Sequence, residues 1–218
     1  MKKFELTTEF ITNFLGTKLF RIKALVEFGK VEKGELGGFV EKEENLDHDG
    51  DAWVSGNAWV YGDARVYGDA EVYGDAEVSG NAEVYGDARV YGDAEVYGDA
   101  EVSGNARVYG DARVYGDAWV YGDAWVSGNA WVSGNAWVSG DQMYATVKGF
   151  GSEYRNTTFF ITKDGNVCVN CGCFSGTLEQ FREKVEETHK DTKYAKEYLL
   201  IADLMEMHFK EELEKIKK

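Results

Sequence analysis

The sequence contains no proline, and only three cysteines and three histidines among its 218 residues. It has no apolar run near the roughly 20 residues that a membrane-spanning helix needs. Its first residues, MKKFELTTEF, lack the uninterrupted apolar segment of a secretory signal. An odd number of cysteines also argues against a disulfide framework. We therefore expect a soluble, cytoplasmic protein.

What the sequence does contain is a six-residue phrase, V-[Y/S]-G-[D/N]-A-x, repeated fifteen times without a change in spacing. Valine recurs every six residues from Val54 to Val138, and alanine recurs in step from Ala52 to Ala136. A fixed period of this kind predicts a solenoid. Strand alternation directs Ala and Val to one side, and the variable residue and Tyr or Ser to the other. Because Gly-Asp and Gly-Asn favour turns, each hexad predicts one short strand and one corner.

Three corners close a triangle, so one coil contains eighteen residues and its interior is filled by stacked Val and Ala. Neighbouring coils pair like strands, and fifteen hexads predict about five coils with a length on the order of 24 Å. The phrase resembles that of the hexapeptide-repeat family of parallel β-helices, whose aliphatic and small inward positions have the same offset of four. The resemblance implies a left-handed coil, whereas the general preference of crossovers would predict the right hand.

Residues eighteen apart are predicted to lie above one another, which arranges the variable positions in three columns. Like charges are adjacent in several places, as at Glu77 and Glu95, and such pairs are mildly unfavourable. We therefore see no tuning for stability in these positions. The columns are Trp53, Glu71, Arg89, Arg107 and Trp125; Trp59, Glu77, Glu95, Arg113 and Trp131; and Arg65, Glu83, Glu101, Trp119 and Trp137.

Acidic charge is concentrated in the repeats. From Asp51 to Asp141 there are eleven Asp, five Glu and four Arg, which is −12 of the chain's net charge of −15. Spread over the predicted length, this is about one negative charge per 2 Å, close to the ~1.7 Å per charge of duplex DNA. Such a rod repels nucleic acid and attracts proteins that bind it. The alternative is that an acidic surface only keeps a long stack soluble. The Asp and Asn corners are predicted to form three ladders, one of which contains Asp69, Asp87, Asn105, Asp123 and Asp141.

The segments beside the repeats are predicted to close the solenoid, because a bare terminal coil would expose strand edges and an apolar core. We assign residues 1–36 to an N-terminal β cap, 37–141 to the β-helix, and 142–218 to a C-terminal α+β domain that caps the prism and oligomerises. Val40 and Leu46 lie twelve and six residues before Ala52, so the first, imperfect coil is expected to begin near Gly37. This lead-in, with the R-I-K-A segment before it, resembles the start of hexapeptide-repeat proteins of phages and prophages, over residues 15–141.

The C-terminal domain has readable local signals. MYATVKGF predicts a closing strand, and TTFFITKDGNVCVN predicts a hairpin around the two-residue turn Asp164-Gly165. Thr177 followed by Gln180 is a capping-box signature that opens a helix. A second helix is expected from about Thr192, followed by a charged and solvated tail, EELEKIKK. Its apolar face is predicted to contain Tyr194, Tyr198, Leu199, Ala202 and Met205.

All six tryptophans occupy outward positions near the ends of the prism. Four of them lie in consecutive hexads, so they are predicted to present indole on all three faces. Aromatic surfaces of that size usually contact something. Either the terminal segments fold back over them, or they form a dimer seam, or they anchor a partner protein. These four are Trp119, Trp125, Trp131 and Trp137.

Enzyme chemistry finds little support in the residues. The hexapeptide family is best known for trimeric acyltransferases, so the resemblance implies a catalytic His and a cofactor groove between subunits. From Val54 to Asp141 there is no His, no Lys and no insertion, and a general base must lie within hydrogen-bond reach of its proton. The nearest candidate, His48, occupies a valine position of the first coil, where a packed or capping role is favoured. We predict no enzymatic activity and no cofactor.

The cysteines form a C-x2-C-x-C motif after the predicted hairpin turn. Cys168, Cys171 and Cys173 would hold zinc if His189 or His208 supplied a fourth ligand. The spacing is short and no second CxxC pair exists, so free cysteines are favoured and no metal is predicted.

The sequence thus predicts a non-enzymatic binding protein, of phage or prophage origin by resemblance, that inhibits a nucleic-acid-binding host protein by acting as a DNA-mimic decoy. It is not expected to bind nucleic acid or a membrane itself. The competing hypotheses are an inert spacer that presents or assembles its terminal domain and, third, an acyltransferase. The residues predicted to contact the partner are the four tryptophans Trp119, Trp125, Trp131 and Trp137 and the aspartates Asp63, Asp69, Asp75, Asp87, Asp93, Asp99, Asp111, Asp117 and Asp123.

Overall fold

The computed structural model describes residues 1–216 and shows a mainly β protein whose centre is a parallel-strand solenoid of about six turns. Three longer strands lead into it: β1 (Phe4–Thr12), β2 (Lys18–Ala24) and β3 (Leu36–Val40). The regular turns contain β4 (Trp53–Val54), β5 (Trp59–Val60), β6 (Arg65–Val66), β7 (Glu71–Gly74), β8 (Glu77–Val78), β9 (Glu83–Val84), β10 (Arg89–Gly92), β11 (Glu95–Gly98), β12 (Glu101–Val102), β13 (Arg107–Gly110), β14 (Arg113–Gly116), β15 (Trp119–Val120), β16 (Trp125–Val126), β17 (Trp131–Val132) and β18 (Trp137–Val138).

The strands of the solenoid form three flat faces. We call the face of β4, β7, β10, β13 and β16 the first face, that of β5, β8, β11, β14 and β17 the second face, and that of β6, β9, β12, β15 and β18 the third face. Val90 pairs in parallel with Val72 and Val108, so partners are eighteen residues apart. All three predicted columns are confirmed by this register. The Val and Ala positions are buried throughout, as the stacked interior requires, and the hand of the coil stays a prediction.

The register predicted for the first coil is wrong. Val40 pairs with Val60, and Leu46 forms a bridge with Val66, which is a separation of twenty residues in each case. Both residues therefore take valine positions rather than alanine positions, and the coil contains two additional residues after Leu46. His48 consequently lies in the turn beyond the strand and not in a valine position.

The N-terminal strands close one end of the solenoid. β1 pairs antiparallel with β2, and β2 pairs antiparallel with β3, which then continues in parallel into the coils. The first coil has carbonyl groups with no earlier coil to pair with. The buried Lys3 donates from Nζ to the carbonyl oxygen of Ala52 at 2.9 Å. Asn45, fully buried, donates from Nδ2 to the carbonyls of Gly62 (3.1 Å) and Ala64 (2.8 Å).

The C-terminal region is a four-stranded antiparallel sheet covered by two helices. The elements are β19 (Tyr144–Val147), β20 (Thr157–Ile161), β21 (Val167–Cys171), β22 (Phe174–Thr177), α1 (Leu178–His189) and α2 (Lys193–Ile216). The closing strand, the hairpin and both helices were predicted. The capping box is also confirmed, since Thr177 Oγ1 accepts from the Gln180 backbone and Gln180 Oε1 accepts from the Thr177 backbone.

Two local predictions in this region need correction, and one strand was missed. The hairpin loop is longer than two residues, because Thr162 and Asn166 still pair through their backbones and Gly165 takes a φ of +71° between them. β22 was not expected from its short sequence FSGT. The predicted tail is not uniformly solvated, since α2 continues to Ile216 and its residues Leu213 and Ile216 pack against the core. Lys217 and Lys218 lie outside the described residues.

Neither α1 nor α2 nor any shorter helix among the described residues is both long enough and apolar enough to cross a membrane.

Candidate functional site

The corners of the solenoid form three ladders of Asp and Asn, as the eighteen-residue register dictates. The first ladder runs along the edge between the third and first faces, the second between the first and second faces, and the third between the second and third faces. Successive rungs are about 4.8 Å apart. The members are Asp51, Asp69, Asp87, Asn105 and Asp123 in the first ladder; Asn57, Asp75, Asp93, Asp111 and Asn129 in the second; and Asp63, Asn81, Asp99, Asp117 and Asn135 in the third.

Asp141 does not continue the first ladder. It begins a 3-10 helix, Asp141–Met143, and its carboxylate accepts a hydrogen bond from the backbone of Trp125 at 2.8 Å. The chain has left the coil by this point, so the carboxylate closes the last turn instead of extending the acidic edge.

Most corner carboxylates have no basic partner among residues 1–216. Of the nine aspartates predicted to contact a partner, Asp63 is the one with a basic partner among residues 1–216, Lys42 at 2.6 Å. That contact lowers the pKa of the Asp63 carboxyl through its hydrogen bond with Lys42. Some rungs are bridged by amides, as where Asn105 Nδ2 donates to Asp123 at 3.0 Å. Such bridges satisfy hydrogen bonds but leave the negative charge in place.

The five glutamates of the columns are all paired, which the sequence reading missed. Glu95 accepts a hydrogen bond from an arginine in the next coil, and Glu71 forms a longer ion pair with one. The other three accept from tyrosine hydroxyls sixteen residues earlier. A tyrosine and the glutamate sixteen residues later are diagonal neighbours on one face. This spacing in the sequence could have predicted the three tyrosine–glutamate pairs. The pairs are Arg89–Glu71 (3.6 Å), Arg113–Glu95 (3.0 Å), Tyr67–Glu83 (2.7 Å), Tyr85–Glu101 (2.9 Å) and Tyr61–Glu77. The predicted like-charge neighbours are also present, as at Glu77 and Glu95, and the absence of tuning for stability in these positions stays a prediction.

The tyrosines stack along each of the three faces. Tyr73, Tyr91 and Tyr109 form a continuous column with ring centroids 4.8 and 5.0 Å apart and nearly parallel planes. Burial, reinforced by the hydrogen bond to Glu77, raises the pKa of Tyr61 to about 12. The charges on the three faces come from their Glu and Arg residues.

The four C-terminal tryptophans divide among the three faces, as predicted. Trp119 and Trp137 belong to the third face, with ring centroids 6.4 Å apart, and Tyr121 lies against both of them. Trp119 is 38% exposed, and Trp137 is half-buried. An aromatic cluster of three rings therefore ends the third face.

The remaining two tryptophans lie apart from that cluster. Trp125, on the first face, is 44% exposed, and Arg107 lies over its ring at 4.6 Å. Trp131, on the second face, is half-buried. Its backbone N–H donates to Thr158 Oγ1 (3.0 Å) and its carbonyl accepts from Asn170 (2.7 Å) of the C-terminal sheet. The fold-back alternative thus applies to Trp131 and leaves Trp119 and Trp125 accessible.

The third face therefore combines the features that a binding surface needs. Its two edges are the first and third ladders, its surface carries Glu83 and Glu101, and its end carries Trp119, Tyr121 and Trp137. The first face has two arginines and one glutamate in its column, whereas the third face has one arginine, Arg65, and two glutamates. The C-terminal sheet contacts the last strands of both the second and the third face, and the Lys163 backbone N–H donates to the carbonyl oxygen of Asn135 at 3.0 Å. The structure brings together on the third face only part of the predicted partner-binding set.

The cysteines do not converge. Cys168 and Cys171 are three residues apart on β21, so alternation directs their side chains to opposite faces of the sheet. Burial raises the pKa of the Cys168 thiol, which opposes formation of the metal-binding thiolate. Cys171 instead accepts from Thr157 Oγ1 at 3.2 Å and lies near Tyr198. Among residues 1–216 no three His, Cys, Asp or Glu side chains are grouped for a metal ion.

The histidine nearest the solenoid is engaged in the N-terminal cap. The His48 ring lies 4.4 Å from that of Phe4, and its Nδ1 accepts from the Lys3 backbone at 3.2 Å. Its Nε2 lies 3.7 Å from Glu43. This environment matches the packed, capping role predicted for His48.

Comparison with known proteins identifies the repeat. Residues 106–122, 112–128 and 124–140 match the family model described as YdcK Beta solenoid repeat. The matched stretches cover the last coils of the solenoid and agree with the coil geometry there. No curated protein matches the chain. The resemblance to hexapeptide-repeat proteins and to proteins of phages stays a prediction.

Proposed function

We propose that this β-solenoid repeat protein is a non-enzymatic, acidic binding protein that occupies the nucleic-acid site of a host protein as a DNA-mimic decoy. The observation that carries the proposal is the third face, where two parallel rows of Asp and Asn corners flank a strip that ends in the exposed ring of Trp119 and the half-buried rings of Tyr121 and Trp137. The decoy requires charges that remain available to a partner, and eight of the nine aspartates have no basic partner among the described residues.

The spacing of the charges suits this role. Rungs recur about every 4.8 Å along each of three edges, so the rod carries negative charge at a density close to that of a duplex. A basic cleft that neutralises phosphates would meet carboxylates arranged in rows. The rings of Trp119 and Tyr121 would supply the desolvated anchor that charge alone lacks, because charged rims set association rate more than affinity.

The competing function is a spacer, and a specific observation favours it. Ser55, Ser79, Ser103 and Ser127 recur every twenty-four residues while each coil closes after eighteen, so identical units shift from face to face. Tandem duplication explains that pattern without selection on any one face. A spacer would present or assemble its C-terminal domain and bind nothing through its aspartates.

Affinity capture separates the two. The full-length protein would be immobilised and exposed to host lysate at about 50 mM and about 200 mM salt, with and without excess duplex DNA. The decoy predicts a nucleic-acid-binding protein that is retained at low salt, lost at high salt and displaced by DNA. Recovery of the protein itself alone, or of proteins that DNA does not displace, would favour the spacer.

A further inference from the structure

One side of α2 carries an apolar stripe that the described chain leaves open. Leu200, Leu204 and Met207 are 68%, 49% and 68% exposed, whereas Met205 and Phe209 on the opposite side are buried in the C-terminal core. Spacings of four and three residues align the exposed three along one line of the helix. Large apolar side chains in a continuous exposed row mark contact surfaces more often than single ones do.

Charged residues continue the same line in both directions. Lys193 and Lys196 lie towards its amino end, and Glu211 and Glu214 lie towards its carboxyl end; all four are exposed. The stripe is therefore basic, then apolar, then acidic, over about 32 Å of helix. This order is opposite to the one that the helix dipole favours, in which acids lie at the amino end and bases at the carboxyl end.

We propose that this stripe pairs with the same stripe of a second copy of the chain, in antiparallel orientation about a two-fold axis. A two-fold rotation about an axis that passes between residues 203 and 204 brings Lys196 opposite Glu211 of the second copy, and Lys193 opposite Glu214. The same operation brings Leu200 opposite Met207, with Leu204 close to the axis. One register thus pairs each of these four charges with its opposite.

Other features of α2 agree with this arrangement. A two-fold contact uses one surface twice and must be self-complementary. The stripe meets this requirement because its basic end lies opposite the acidic end of the second copy. A parallel pairing would place lysines against lysines and glutamates against glutamates. Asp203, beside the axis, is already paired within the chain with Arg182, which also donates to Glu206 at 2.7 Å. Because Arg182 is shared by the two carboxylates, it offsets part of their negative charge beside the axis.

Sedimentation equilibrium of the full-length protein tests the association. At low salt we expect a reversible equilibrium between the 24.4 kDa chain and a species of twice that mass. Leu204→Gln should weaken association at least about tenfold, because it places an amide at the axis. Leu36→Gln, at a position 52% exposed in the N-terminal region, is the control and should leave association unchanged. A monomer at every concentration, or a dimer indifferent to Leu204→Gln, would overturn the proposal.

Exchanging charges tests the orientation without touching the core. Lys196→Glu and Glu211→Lys should each weaken association about tenfold, because each creates two like-charge pairs per dimer. The two changes combined restore both pairs with reversed sign and should recover most of the association. Lys33→Glu, on the exposed N-terminal region, controls for net charge. If the double variant associates no better than the single variants, the antiparallel register is wrong. Neither result depends on the decoy hypothesis, which concerns the aspartate ladders.

Discussion

In the middle of the solenoid each coil is covered by a copy of itself, whereas at each end the covering groups are unlike one another. Val90 pairs in parallel with Val72 and Val108, and the Tyr91 ring stacks between those of Tyr73 and Tyr109. At the ends a lysine, an asparagine and a C-terminal sheet perform the same task. The repeat therefore supplies the interior, while stability at the edges depends on a few individual side chains.

This difference predicts the largest effect at the N-terminal end. Asn45→Ala would leave the carbonyls of Gly62 and Ala64 and the N–H of Lys42 without their partner. We expect a loss of about 3 kcal/mol, because buried polar groups left unpaired each cost about 1–3 kcal/mol. Hydrogen exchange should show the first coils opening before the middle ones.

The matched substitution lies in the middle of the stack. Asn105→Ala removes one exposed hydrogen bond to Asp123 and should cost less than about 1 kcal/mol. If both variants lose the same stability in urea, the contrast between ends and middle is wrong.

Corner glycines sharpen the same comparison. Gly98 has a φ of +76°, and a Cβ there would lie 2.9 Å from the backbone nitrogen of Gly116 in the next coil. Gly134 has a φ of +62° in the last turn, with nothing within 4 Å of its Cβ position. Gly98→Ala should therefore cost about 2–3 kcal/mol, and Gly134→Ala about 1 kcal/mol, since only the former adds a clash to the strained φ. Urea unfolding of the two variants measures this difference, and equal losses would exclude a role for the stacking of corners.

Removing a single phenol tests the diagonal pairs. Tyr67→Phe keeps the ring that stacks 4.9 Å from Tyr85 but removes the hydroxyl that donates to Glu83. We expect a loss of about 1 kcal/mol in urea unfolding. Tyr91→Phe keeps a stacked ring and removes no such bond within the described chain, so it should change stability by less than about 0.5 kcal/mol. Identical behaviour of the two variants would mean that stacking alone stabilises the tyrosine columns.

Alkaline pH should also lower the stability of the folded chain. The pKa of Tyr61 rises from 10.0 to about 12 in the folded chain, through burial and then Glu77. Between these values the folded phenol keeps its proton while the unfolded one has lost it, so stability falls as pH rises from about 10 to about 12. Tyr61→Phe should show a smaller fall in the urea midpoint between pH 9 and pH 11 than the wild type. An unchanged fall would contradict the pKa shift.

The regular coils could be predicted from the sequence because a six-residue period leaves one arrangement that buries every Val and Ala. The first coil could not, since the two added residues after Leu46 are invisible until Val40 is seen opposite Val60. The tyrosine partners of three glutamates were missed because only residues eighteen apart were compared. Tyr67 donates to Glu83, which is sixteen residues later and lies diagonally across the face.

The candidate site was predicted less completely than the fold. Sequence placed tryptophans on three faces but not which of them the C-terminal sheet covers, since that depends on long-range contacts such as Asn170 with Trp131. The sequence also did not show which of the three ladders border the face that carries the aromatic cluster. Only the structure shows that the first and third ladders share a face with the cluster of Trp119, Tyr121 and Trp137.

The most direct test of the decoy uses two variants of equal net charge. The first carries Asp→Asn at Asp69, Asp87 and Asp123, on the first ladder beside the third face; the second carries Asp→Asn at Asp75, Asp93 and Asp111, on the second ladder away from it. The repeat itself has Asn at five corners, so both should fold. In capture from host lysate, we predict that the first variant loses most of the DNA-displaceable protein and the second retains most of it. Equal retention by both variants, or no DNA-displaceable protein with the wild type, would contradict the account.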